Sequence, residues 1–416
     1  MNYLQLAFRN ILRHRKRTFV TVMTICLGFT AIGVMGGMLN NIFSRLKAQA
    51  IVVEKLGHLT FAKEGFFENG KMEPEKYLWE KEELDDILKI LRSDEAVDLA
   101  TPRLRMFGIA SNGDASTVFI TEAIEPKDDQ QLIQTTIDGR VATSGAISLD
   151  QDASKRSEVA ISSELSENLG LGEGNYLTLL TTTKEGMANA VDADIAQVYN
   201  TGNPATNDKF ILTNFKLAQE LYDTEGAERV VVVLKNPDEM ASHKAQLLNK
   251  LNAAGHRVEV ETWNERSLFY SKITKMFGVI FRVLTVIITV VVLLTLVNTM
   301  QMAVAERTRE IGTMRSIGML SRNVILLFCS EGILMAILGC LIAIPILLGI
   351  SQILSILQIS FIPPVASAPV PIMLILKVSA IVAVFVLFCV ASLFSSFIAS
   401  RKIAKQKVVD SLMQFN

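Results

Sequence analysis

The chain has 416 residues, half of them apolar, and a mean hydropathy of +0.34. That balance excludes an ordinary soluble globular protein and points to membrane-spanning segments. A formal net charge of −1 excludes a bulk attraction to nucleic acid, so the basic clusters need a local explanation. Cys26, Cys329, Cys340 and Cys389 each lie inside an apolar run, where neither a disulfide framework nor a zinc knuckle is expected. His14, His58, His243 and His256 are scattered, with no i, i+4 pair, and no metal site is expected.

Residues 1–18 carry Arg9, Arg13, Arg15, Lys16 and Arg17 and are expected to form a cytoplasmic amphipathic segment. Residues 19–42 follow without a charge, enough to cross a hydrocarbon core of roughly 30 Å. The run outlasts a signal-peptide core and no small-x-small cleavage site follows, so it reads as an uncleaved first transmembrane helix. Gly33 and Gly37 form a small-xxx-small pair, read first as close helix packing and second as a dimer seam.

Residues 43–272 form a polar stretch of about 230 residues with ordinary globular patterning, expected as an extracytoplasmic α+β domain. Strands are predicted over 58–62, 97–110 and 117–124, with a helix over 78–91. Strands at 229–234 and 256–261 flank a helix at 237–254 that Gly255 stops. These two strand-helix-strand units bracket a β-rich insert at about 141–227, with strands at 176–182 and 193–199. Residues 65–72, GFFENGKM, fit the opening of a phosphate-binding loop, but Met72 replaces the required hydroxyl and Pro74 follows. No ATPase is expected in the chain.

The second apolar run, 273–305, has Lys272, Lys275 and Arg282 near its outer end and is expected to continue beyond the bilayer as a stalk. Asn298 lies near its inner end, where bonding to a neighbouring helix or carbonyl is the simplest reading. The third run, 323–350, carries Glu331, an intramembrane carboxylate expected to pair structurally with Arg322 or reach headgroup water. Gly332 and Gly339 offer it a smooth packing face. An outer loop at 351–371 lacks Lys and Arg, the fourth run covers 372–398, and 399–416 is a basic tail. Basic clusters on one side predict four helices with both termini in the cytoplasm.

Between the second and third runs lies the charged segment ERTREIGTMRSIGM at 306–319, within an expected cytoplasmic helix at 306–322. Ile311, Met314 and Ile317 recur every third residue as one apolar edge, among Glu306, Arg307, Arg309, Glu310 and Arg315. Physics alone leaves two readings open, an ordinary positive-inside loop and a docking helix for a soluble partner.

The segment resembles the E-R-x-R-E-I-G-x-x-R-A-I-G-A signature of FtsX/MacB/LolC-type ABC transporter permeases, the mechanotransmission or type VII family, departing from it at Ser316 and Met319. Leu6, Ala7, Arg9, Asn10 and Arg13 are similar to the family's L-A-x-R-N-L-x-R opening. The tail from Ala399 to Leu412 is similar to its P-A-x-R-A-A…P-V-x-A-L ending without either proline. Ile124-Glu125-Pro126, Val159-Ala160-Ile161 and residues 169–174 look like the family's split porter domain around a β-rich part. The resemblance implies an inner-membrane protein of bacteria with a periplasmic domain, working as a homo- or heterodimer with a separate ATPase that binds ATP and magnesium. The chain itself is then no enzyme, holds no cofactor and has no catalytic residues.

The resemblance makes 306–319 an ATPase-coupling helix, with Ile311 and Met314 as the buried docking edge and Arg307, Arg309 and Glu310 as its polar frame. The layout after the first helix, Gly57-His58-Leu59-Thr60-Phe61, looks most like the LolC/LolE branch, which implies lipoprotein release from the inner membrane. The alternatives are an FtsX-like regulator of a periplasmic cell-wall hydrolase and MacB-like efflux of peptides or small amphiphiles. Membrane lipid, a lipoprotein and a periplasmic adaptor are the further expected partners.

Overall fold

The computed structural model describes residues 3–13, 15–70, 72–137, 140–141, 157–201, 203–361 and 370–404. The chain divides into two compact units, Met1–Ile42 with Thr274–Ser360 and Pro371–Asn416, and Phe43–Ile273 with Phe361–Val370.

The first unit is helical. α1 (Tyr3–Arg13) buries Ala7 and Ile11, four apart, and exposes Phe8 and Leu12. Among the described residues four helices are long and apolar enough to cross a membrane: α2 (Arg15–Ala48, continued by a π turn Gln49–Val53), α8 (Leu268–Glu306), α10 (Ser321–Leu357) and α11 (Val378–Ala404). Their shared core contains Ile25 and Phe29 of α2, Val292 and Leu296 of α8, Ala336 and Leu347 of α10, and Phe388 of α11.

Small residues set the helix spacing. A Cβ at Gly33 would stand 2.7 Å from Leu347 Cδ2, and one at Gly339 2.8 Å from Ile25 Cβ. The Gly37 carbonyl accepts the Ile375 N–H at 3.0 Å, and a Cβ there would meet Leu374 and Leu376. A Cβ on Gly332 would come within 2.0 Å of Ser396 Oγ. Residues 351–357, expected as loop, continue α10, because Ile353, Leu354, Ile356 and Leu357 sustain the apolar run. The outer-loop prolines 363, 364 and 369 and the tail from 405 onward lie outside the described residues.

The second unit is built on β1 (Leu59–Lys63), β2 (Val97–Ser111), β3 (Ser116–Ile124), β4 (Glu158–Ser162), β5 (Tyr176–Thr182), β6 (Ala188–Tyr199), β7 (Phe210–Asn214), β8 (Arg229–Leu234) and β9 (Val258–Thr262). Their order is β9-β1-β8-β2-β3-β7-β4-β6-β5, and β5 returns to pair with β2. With α3 (Lys81–Arg92) after β1 and α7 (Met240–Ala253) after β8, the strands β9-β1-β8-β2 make an antiparallel split β-α-β layer. The other strands, from β2 round to β5, close into a six-stranded barrel.

The junction is β2 itself. Its first half pairs with β8 up to Arg103, and from Leu104 onward it pairs with β3. The β-rich insert therefore starts inside β2 rather than near residue 141, which corrects the expected boundary. Gly108 is required at the closure: a Cβ there would lie 2.1 Å from the Leu180 carbonyl oxygen on β5. α4 (Pro126–Ile133) follows β3, and α5 (Ser163–Leu169) and α6 (Phe215–Tyr222) cover barrel strands.

His58 is buried, and its Nδ1 accepts the Leu234 N–H at 2.9 Å, which ties β1 to β8. His256 meets Asp86 of α3 at 2.8 Å. Of the phosphate-loop lookalike, residues 66–69 are one short helix turn, and Lys71 lies outside the described residues.

Candidate functional site

The charged segment folds as a break and a short helix, not as one helix over 306–322. α8 stops at Glu306, Arg307 leaves helical geometry at φ −106° and ψ 14°, and α9 runs over Thr308–Ser316. The Thr308 hydroxyl donates to the Ala305 carbonyl at 2.8 Å, satisfying an acceptor that the break would leave open. α9 ends in a Schellman turn: the Gly318 N–H donates to Arg315 O at 3.1 Å and the Met319 N–H to Met314 O at 3.0 Å, with Gly318 at φ +100°.

This geometry separates residues that were grouped by spacing. Ile311 is 1 % exposed and packs with Val304, Val324 and Phe328, while Met314 lies at the border of that cluster. Ile317, turned by the end of the helix, is 82 % exposed. The expected docking edge of Ile311 and Met314 is therefore corrected, since the core of this chain already takes Ile311. The face open to a partner holds Arg309, Glu310, Thr313, Ser316 and Ile317, with Arg315 half-buried beside it.

Arg307 is likewise withdrawn from the surface. Its Nη1 donates to Glu331 Oε1 at 2.9 Å, and both residues are buried. Glu331 thus pairs with Arg307 and not with Arg322, because the break in the chain points the guanidinium back among the helices. Glu306 stays on the surface, 3.4 Å from Arg17 of α2, and Glu310 lies 3.5 Å from Arg13 of α1. Sequence reading missed these two contacts. The available signal was spacing, since two cations four residues apart meet two carboxylates four residues apart.

Asn298 sits on the exposed side of α8 and makes no hydrogen bond among the described residues, so the expected bond to a neighbouring helix is not formed. Cys26 and Cys340 are buried free thiols in the helical core. Among the described residues no three His, Cys, Asp or Glu side chains converge as a metal-ligand set.

Comparison with known proteins adds to this geometry. Residues 18–250, more than half of the chain, match the family described as MacB-like periplasmic core domain. Residues 282–408 match FtsX-like permease C-terminal. Among solved structures, the extracellular domain of the noncanonic ABC-type transporter YknZ from Gram-positive bacteria is 13 % identical, with 49 % of this chain and 99 % of that one covered, at a TM-score of 0.34. The periplasmic region of MacB from Actinobacillus actinomycetemcomitans is 9 % identical over 53 % of this chain and 95 % of that one, at a TM-score of 0.36. A domain of a putative permease from Porphyromonas gingivalis is 14 % identical over 49 % of this chain and 86 % of that one, at a TM-score of 0.26. No curated protein matches the chain.

Proposed function

The chain belongs to the FtsX/MacB-type family of ABC transporter permeases, and from that premise we propose that it couples a separate ATPase to the handling of an amphiphilic substrate outside the membrane. The favoured substrate is a lipoprotein released from the inner membrane of a bacterium. In this reading α1, α9 and both termini lie in the cytoplasm and the α/β unit in the periplasm. ATP and magnesium belong to the partner subunit, and two permease copies share two ATPases.

The observation that carries the reading is the join between α8 and α9. α8 is an unbroken helix of 39 residues, about 58 Å long, well beyond a bilayer core. α9 follows it after one non-helical residue, Arg307, which the Glu331 pair holds in place. A force on the exposed face of α9 therefore enters α8 with little slack. Four largely apolar helices suit transmission better than conduction of a hydrophilic solute. Efflux of peptides or small amphiphiles is the second reading, supported by the match of residues 18–250 to the MacB-like core domain.

The test is purification of the chain from its native membrane followed by mass spectrometry. An ABC-type ATPase with a co-purifying lipoprotein supports the first reading, and an ATPase with peptide cargo supports the second. A cell-wall hydrolase in place of either contradicts both.

A further inference from the structure

α1 presents three rows of side chains with different surroundings. Ala7 and Ile11 are buried, Ile11 in a cluster with Val22 of α2, Met300 of α8, Met335 of α10 and Ala399 of α11, so α1 is fastened to the helical unit. Phe8 and Leu12, one position further round the helix, are exposed. Arg9 and Arg13 form the next row and are exposed as well. A buried row, an exposed apolar row and a basic row in that order suit a helix lying in a lipid interface.

The start of α2 continues the pattern. Phe19 and Val20 are exposed, and Arg15 and Lys16, one turn nearer α1, are exposed too. A cation one turn beyond a lipid-facing apolar residue reaches the depth of lipid phosphates. Residues 1–42 hold Arg9, Arg13, Arg15, Lys16 and Arg17 and no Asp or Glu. Among the described residues, the carboxylates at this end of the helical unit are Glu306, Glu310 and Glu331, and each already meets a cation: Arg17 at 3.4 Å, Arg13 at 3.5 Å and Arg307 at 2.9 Å. Arg9, Arg15 and Lys16 have no carboxylate within ion-pair distance among the described residues. Arg309, Arg322 and Arg401 add to the same end, which therefore carries positive charge that its own side chains leave unmatched.

We propose that α1 and the first turn of α2 bind anionic phospholipid in preference to zwitterionic lipid. Arg9, Arg15 and Lys16 draw the phosphate, and Phe8, Leu12, Phe19 and Val20 lie against the acyl chains. Charge complementarity selects this occupant. A zwitterionic lipid brings its own ammonium and leaves the three cations without net counter-charge, and a soluble anion leaves the apolar row in water. An acidic protein leaves uncovered the α2 residues that run on into the membrane span. The site also bears on coupling, because α1 is the element whose Arg13 meets Glu310 of α9. That link rests on the cytoplasmic placement of α1 in the proposed function. Lipid preference is nevertheless read on this chain alone, without an ATPase, so the site and the coupling role fail independently.

The experiment places the full chain in nanodiscs of equal parts phosphatidylglycerol and phosphatidylcholine and counts the lipids it retains by native mass spectrometry. Phosphatidylglycerol is expected to be retained about tenfold over phosphatidylcholine. The triple variant Arg9→Gln/Arg15→Gln/Lys16→Gln should bring that preference to about twofold or less. Lys272→Gln/Lys275→Gln/Arg282→Gln removes as many cations from the opposite end of α8 and should keep most of the preference. Thermal unfolding in parallel verifies that each variant folds; if the first triple does not, Lys16→Gln alone, at an exposed position, should lower the preference about twofold. Equal retention of the two lipids, an unchanged preference in the folded α1–α2 variant, or the same loss from the outer-end triple overturns the proposal. So does inorganic phosphate displacing phosphatidylglycerol at constant ionic strength, which would make the cations a site for free phosphate.

Discussion

Arg307 and Glu331 form a buried ion pair, Nη1 to Oε1 at 2.9 Å, that joins the break after α8 to the interior of α10. Arg307 Nε and Nη2 and Glu331 Oε2 have no further hydrogen-bond partner among the described residues. The pair is thus a positioning device more than a source of stability, since desolvation offsets much of its attraction. Arg307→Ala or Glu331→Ala, which strands one buried charge, is expected to cost about 3–5 kcal/mol, whereas the double variant Arg307→Met/Glu331→Leu recovers most of that loss. Thermal unfolding of the four proteins in one mild detergent checks the cycle.

Gly332 faces Ser396 with no room for a side chain, and the Ser392 carbonyl oxygen stands 3.2 Å from where a Cβ would be. Gly332→Ala is expected to destabilise by about 1–3 kcal/mol, because the obstacle includes backbone. Gly33→Ala meets only the flexible end of Leu347 and is expected to cost less. The same unfolding assay ranks the two.

His58 gives the α/β unit a pH dependence. Burial, helped by the Lys47 charge, pushes its pKa down from 6.5 to about 4, so the folded protein keeps it neutral. The stabilisation is fully present above pH 6.5 and is lost as the pH falls toward 4, an effect of about 3 kcal/mol at most. His58→Asn keeps an acceptor for the Leu234 N–H and cannot titrate, so its stability should fall less over that interval. Urea unfolding followed by fluorescence reads this unit, because the chain's two tryptophans, Trp79 and Trp263, both lie in it.

Much of the architecture is legible in hydrophobic period and charge. The four apolar runs, the strands flanking α3 and α7, and the charged segment all follow from local pattern. The closure of the barrel does not, because β2 runs on as one strand through Arg103 and Leu104, buried continuously from Leu99 to Leu104, and Gly108 is the one local mark of the approach of β5. At the candidate site, Ile311 and Ile317 look equivalent by spacing. Their fates differ because Ile311 lies in the first turn of α9, against the chain's own core, while Ile317 is the cap residue beyond its last turn, just before the left-handed Gly318. Arg307 likewise resembles its neighbours in sequence, and only the fold brings Glu331, 24 positions away, to its guanidinium.

The central claim is that the exposed face of α9 receives a separate ATPase. The direct measurement is the affinity of the purified native chain for that ATPase, beside Ile317→Asp and Ile311→Asp, with unfolding followed in parallel. Ile317→Asp should keep its stability within about 0.5 kcal/mol and weaken binding about tenfold or more. Ile311→Asp should weaken binding only together with folding. Unchanged affinity in a well-folded Ile317→Asp protein that also carries Arg309→Ala and Glu310→Ala would contradict the account.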